Sequence, residues 1–170
     1  MEGFHQLVWG DKEALTKAFE SPTTAAIILE PVQGEGGCRA TPEEDLRWMR
    51  EMADANGVLI IFDEVQCGMG RTGKLWAHEW AGMQPDIMAI AKALGGGFPI
   101  GACLATSEAA SGMTAGAHGS TFGGNPLAMA VGKAAFAEVS SDAILQNVND
   151  IAGYLKQQLN GLAEQYPDII

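Results

Sequence analysis

One lysine closes the apolar run from Ile87 to Ala91, and three glycines, Gly95 to Gly97, follow it closely. An amine placed where a buried strand gives way to a flexible turn can be desolvated by its neighbours. Desolvation disfavours the ammonium form and leaves a nucleophile suited to forming a Schiff base with a carbonyl. The alternative for Lys92 is a strand-end side chain that carries its charge out to water.

Two carboxylates stand in comparable places. Residues 25–29 (AAIIL) end at Glu30, and residues 58–62 (VLIIF) end at Asp63, with Glu64 directly after. If the three apolar segments are neighbouring parallel strands, then Glu30, Asp63 and Lys92 meet at one sheet edge. Open parallel sheets bind ligands outside the carboxyl ends of their strands. A buried salt bridge is the competing explanation for the same grouping.

The elements that must position these groups can be read from local signals. Asp11 is placed to cap a short amphipathic helix with Ala14, Leu15, Ala18 and Phe19 inward, which Ser21-Pro22 ends. The TPEE stretch at 41–44 reads as a capping box on a helix to about Ala55, stopped by Asn56-Gly57, with Leu46, Met49 and Ala53 facing the core. Residues 75–83 read as a short helix containing Trp76 and Trp80. Pro85-Asp86 leads into the third strand, and Ile100–Ala105 is a fourth. Asn125-Pro126 starts a helix to about Val139. A last helix carries Leu145, Val148, Ile151, Leu155, Leu159 and Leu162 on one stripe, and packs either on the same domain or on a second one. Alternating strands and helices give an α/β class, and continuous apolar strands predict a mostly parallel sheet covered on both faces.

Composition excludes several functions. The chain has 170 residues, 47% of them hydrophobic, and a formal net charge of −11 with only 10 lysines and arginines. That size suits one core-bearing domain, and that charge argues against nucleic acid or an anionic membrane as partner. No apolar run reaches a membrane span, and the segment after Met1 has no basic or apolar leader pattern. The three cysteines, Cys38, Cys67 and Cys103, show no metal-ligand spacing, in keeping with a reduced, cytoplasmic setting. Residues 66–74 (QCGMGRTGK) match two nucleotide-binding patterns. Both fail on context: Leu75 stands where a magnesium-binding hydroxyl is needed, and the glycines begin too far after the strand.

Taken together, ILEPVQGEGG at 28–37, IFDEVQ at 61–66, GRTG at 70–73, Pro85-Asp86, AKALGGG at 91–97 and GSTFGGNP at 119–126 resemble the class III (ornithine-type) aminotransferases. The resemblance covers essentially the whole chain and implies pyridoxal 5'-phosphate as cofactor. It implies the large domain of the fold type I, aspartate-aminotransferase-like architecture over residues 1–125. Residues 126–170 would be a connecting helix and the first helix of a C-terminal small domain.

By the same resemblance Lys92 is the catalytic lysine that carries the cofactor and shuttles a proton. Asp63 pairs with the pyridine nitrogen, Val65 packs on the ring, and Gln66 lies near its phenolic oxygen, with Glu64 in the same cofactor-binding run. Thr121 binds the cofactor phosphate across a homodimer interface. Ser120 and the gating Glu35 contact substrate. The motifs are nearest to those of enzymes that transaminate N-acetylornithine with 2-oxoglutarate in arginine biosynthesis; succinylornithine, ornithine and 4-aminobutyrate enzymes share most of them. The family's phosphate loop, second stacking aromatic and substrate arginine have no counterpart here. The chain is therefore expected to be a central fragment, with open sheet edges and an uncovered apolar face.

Overall fold

The computed structural model describes residues 2–169; Met1 and Ile170 lie outside the described residues. Helix α1 (Lys12–Glu20) begins where expected, with the Asp11 carboxylate accepting from the Ala14 N–H at 3.0 Å. It buries Phe19. Strand β1 (Ala26–Leu29) leads into a small antiparallel hairpin, β2 (Val32–Gln33) and β3 (Arg39–Ala40). Helix α2 (Glu43–Asn56) ends at Gly57, whose left-handed φ of 66° needs a residue without a Cβ. Strands β4 (Leu59–Asp63), β5 (Ile87–Ile90) and β6 (Ala102–Ala105) complete the main sheet. A short helix α3 (Ser107–Ala110), then α4 (Pro126–Val139) and α5 (Asp142–Gln165), close the described chain.

The main sheet runs β1-β4-β5-β6, with β1, β4 and β5 parallel. Strand β6 is antiparallel to β5. The connection from Ala91 to Gly101 holds a single 3-10 turn, Lys92–Gly95, and is too short for the helical crossover that a parallel pairing requires. Asp86, at the entry to β5, accepts from the Ile60 N–H (2.7 Å) and from Arg50 Nη1 (2.8 Å), which joins β5 to both β4 and α2. Burial opposes the Arg50 charge. The Asp86 hydrogen bond and the charges of Asp86 and Asp54 outweigh it and hold that pKa above its ordinary value.

Two apolar clusters draw their strand residues from one face of the sheet. Phe19, Leu46, Ala53, Val58, Ile60 and Phe62 pack together on the side of α1 and α2. Burying Ile60 or Phe62 is worth about 2–3 kcal/mol each. On the same face toward β5, since Phe62 is the register partner of Met88, Met69, Met88, Ile90 and Leu94 form a second cluster, joined by Ile100 and Val139.

Three expectations need correction. The strands are not covered on both faces throughout: Ile28, the register partner of Ile61, is 62% exposed, and every residue of β6 is exposed. Coverage depends on what packs on each face, which an apolar run does not specify. Thr41 does not cap α2. Its backbone N–H is tied to the Pro31 carbonyl at 3.0 Å, and its hydroxyl is buried without a partner. The helix expected over 75–83 is only a 3-10 turn, Ala77–Trp80. Gly73 and Gly82, with φ of 91° and 66°, bracket it, and the Ala77 and His78 N–H groups are taken by Glu64.

Candidate active site at the carboxyl edge of the sheet

Because β1, β4 and β5 are parallel neighbours, their carboxyl ends share an edge. Glu30 follows β1, Asp63 ends β4, and Lys92 lies two residues past β5. The register sets Asp63 opposite Ala89. Asp63 is half-buried, and its Oδ1 accepts from the Val65 N–H at 3.0 Å. Glu30 Oε2 accepts from the Gly34 N–H at 3.1 Å.

Lys92 is exposed, with no ion pair or hydrogen bond to another described side chain, and its φ of 46° lies in the left-handed region. The buried salt bridge that competed with a reactive edge is therefore not formed. The desolvation expected for Lys92 is not supplied by these residues either, because the glycine turn and the exposed β6 leave the amine open to water. For a residue with a Cβ, the left-handed backbone costs about 1–2 kcal/mol. Such conformations persist where the surroundings over-determine them. Here α4 does so from behind: Gly132 packs where a Cβ would lie 3.1 Å from Ile100 and 3.7 Å from the Leu94 carbonyl.

Gln66 and Glu35 meet, with Gln66 Nε2 donating to Glu35 Oε1 at 3.4 Å. Gly34 makes this possible, since a Cβ there would fall 1.1 Å from Gln66 Oε1. That oxygen is buried and has no partner. The pair lines a cleft of about 260 Å³ with Val32, Cys38 and Arg71. Cys67 borders the same cleft; burial disfavours its thiolate and pushes the thiol up to about 11, against a smaller opposing effect of a backbone hydrogen bond at Val32.

Glu64, expected among the cofactor-binding residues, is fully buried on the core side instead. Its carboxylate accepts from the Ala77 N–H (2.7 Å), the His78 N–H (3.0 Å) and the His78 ring at Nδ1 (2.6 Å). Side chains alternate along a strand, so Glu64 shares the face of Phe62 while Asp63 takes the other. That alternation was the available signal. Ser120 and Thr121 are exposed on the loop before α4. Ser120 Oγ accepts from the Gly123 N–H at 3.0 Å, and no hydrogen bond joins either residue to Lys92 or Asp63 among the described residues. Sequence reasoning missed the His78–Glu64 pair. It also missed Asn149, which donates to the Gly73 carbonyl at 2.8 Å and ties α5 to the 66–74 loop.

The family model for class-III aminotransferases matches residues 5–170. The chain belongs to that family. Among its relatives, the class-III chain is 64% identical over 171 residues to acetylornithine aminotransferase 2 of Caulobacter vibrioides, covering 100% of this chain and 42% of that protein. It is 60% identical over 170 residues to the acetylornithine aminotransferase of Brucella melitensis, with the same coverage. The class-III chain thus spans less than half the length of the curated relatives it matches. Among solved structures it superposes on acetylornithine aminotransferase from Elizabethkingia anophelis with a TM-score of 0.91 at 37% identity, covering 97% of this chain and 44% of that one. An ornithine aminotransferase from Plasmodium yoelii superposes with a TM-score of 0.89 at 34% identity, covering 98% and 44%. The fold is therefore that of the fold type I aminotransferases, in which the class-III family uses pyridoxal phosphate.

The edge residues fit that cofactor by their chemistry. A free amine and a carboxylate with its Oδ2 unpartnered among the described residues stand at the ends of adjacent strands. Beside them, the buried Gln66 Oε1 lacks a hydrogen-bond partner.

Proposed function

We propose that this chain carries the cofactor-holding centre of an aminotransferase that takes its amino group from N-acetylornithine and passes it to 2-oxoglutarate, a step of arginine biosynthesis. The observation that carries the reading is the placement of Lys92 and Asp63 at the carboxyl ends of β5 and β4. The naming of the relatives as acetylornithine aminotransferases supports the substrate.

Bound pyridoxal phosphate supplies an electron sink for the pair left when the amino-bearing carbon loses its proton. The chain's own residues do the rest. Lys92 would hold the cofactor through its amine, and the same Nζ would take up and return the proton of the amino-bearing carbon. Asp63 would keep a proton on the ring nitrogen through its Oδ2, while the Val65 N–H holds Oδ1. Val65 would cover one ring face and Gln66 would orient the phenolic oxygen. Thr121 would bind the phosphate of the neighbouring protomer's cofactor, which makes the active form a homodimer; the scattered cysteines support a reduced, cytoplasmic setting. Ser120 and Glu35 contact the substrate, and the Gln66–Glu35 contact places the latter at the cleft. Residues 1–125 act as part of the cofactor-binding unit, and residues 126–170 lead into a second one.

Borohydride reduction of the full-length protein with pyridoxal phosphate, followed by peptide mapping, tests the centre. Stoichiometric label on Lys92 is expected; scattered label unchanged in Lys92→Ala would overturn it. Turnover with N-acetylornithine, compared with ornithine, succinylornithine and 4-aminobutyrate, tests the substrate, and a preference for any of the last three would reassign it.

A further inference from the structure

Glu64 takes no part in the chemistry above, yet everything around it is arranged to hold it. A carboxylate is costly to bury without compensating donors. Glu64 is 0% exposed and has three, from Ala77, His78 and the imidazole. A carboxylate that takes two backbone N–H groups is acceptor only, so His78 Nδ1 is the donor at 2.6 Å. Gly68 leaves the space: a Cβ there would lie 2.6 Å from the Glu64 carbonyl and 3.0 Å from its carboxylate. The backbone is held too, since the Glu64 N–H donates to the Ala89 carbonyl at 2.9 Å and continues the β4–β5 ladder one residue past Asp63.

These contacts bear on Asp63. Residue 64 is locked to β5 through its backbone and to the 76–80 turn through its side chain, so the peptides on either side cannot rotate. The Val65 N–H is thereby aimed back at Asp63 Oδ1. One oxygen is fixed and the other is presented at the edge.

We propose that Glu64 is a positioning residue: the buried Glu64–His78 pair anchors the turn after β4 and so sets the carboxylate of Asp63 toward the cofactor ring. This rests on the reading of Asp63 as the partner of the ring nitrogen. The test is a double-mutant cycle in the full-length protein, reading the dissociation constant of pyridoxal phosphate by fluorescence quenching and the visible band of the bound cofactor. Glu64→Gln is expected to weaken binding about tenfold and to shift the band in the same direction as Asp63→Asn. In the Asp63→Asn background it is expected to do nothing further, because residues acting through one another are not additive. His78→Asn keeps an N–H donor near the Nδ1 position and is expected to bind like the wild type, whereas His78→Leu is expected to match Glu64→Gln. Equal losses from Glu64→Gln in both backgrounds, or wild-type binding by His78→Leu, overturn the proposal. If Glu64→Gln does not fold, the two His78 variants decide alone. An Asp63→Asn protein with unchanged affinity and spectrum would instead sink the reading of Asp63, a separate failure visible in a separate variant.

Discussion

The two ends of the candidate site are built differently. At the β4 end, residues 63–80 are fastened to themselves and to the core: Asp63 to Val65, Glu64 to the 77–78 turn, and Gln66 across to Glu35. At the β5 end, Lys92 sits exposed on a 3-10 turn, and Ser120 and Thr121 lie on an open loop, none of them joined to the first group. The first region holds its geometry through hydrogen bonds, those of Glu64 fully buried. The second has its backbone set by glycines and α4 packing and leaves its side chains free. On the reading proposed above, that division gives the cofactor-pairing carboxylate a fixed place and leaves the Lys92 amine free to move.

The largest expected effect falls at the free end. Lys92→Ala should lower turnover by a factor on the order of 10³ or more while leaving the melting midpoint nearly unchanged, since an exposed side chain without partners contributes little to stability. A melting loss comparable to that of a core variant would erase the contrast. At the fastened end the order should reverse. Glu64→Ala strands three buried donors and should cost about 3 kcal/mol of stability by denaturant titration. A cost below that of a surface substitution would show that water replaces the carboxylate.

Gly68→Ala should destabilise by about 1–3 kcal/mol, because the added methyl meets the Glu64 backbone carbonyl at 2.6 Å. Lys92→Gly sharpens the comparison from the other side: relative to Lys92→Ala it should gain about 1 kcal/mol, because glycine accepts a φ of 46° without a steric penalty. The smallest effect concerns pH. Folding holds the Cys67 thiol protonated up to about 11, above its ordinary value of 9.0. The stability that this contributes is present below pH 9 and is lost as the pH rises toward 11. Cys67→Ala should flatten the stability profile over that window, and iodoacetamide should label exposed Cys38 well before Cys67.

Much of the frame was legible because the strands are short apolar runs and the caps are chemical. Asp11, Gly57, Asn125 and Pro126 each stand where the backbone needs an acceptor, a left-handed residue or a fixed φ. Asp63 and Lys92 were found because a charge at the end of an apolar strand has few other places to be. What escaped depends on the third dimension. Thr41 satisfies a capping pattern, but its backbone is drawn to Pro31. Glu64 adjoins Asp63 in the motif, yet strand alternation turns it to the opposite face. The exposure of Lys92 depends on what covers it, which a local pattern does not record.

The bond from Asn149 to the Gly73 carbonyl makes α5 a lever. The helix has 24 residues, so it is about 36 Å long, and the bond lies seven residues beyond Asp142. Past that point Ile151, Tyr154, Leu155 and Leu159 are all exposed. A tilt of about 5° about the bond would carry the far end by roughly 2 Å, given 1.5 Å of rise per residue. The fulcrum is a loop carbonyl seven residues from Gln66, on the loop whose Arg71 and Thr72 line the cleft, so the long arm and the cleft share one segment of chain.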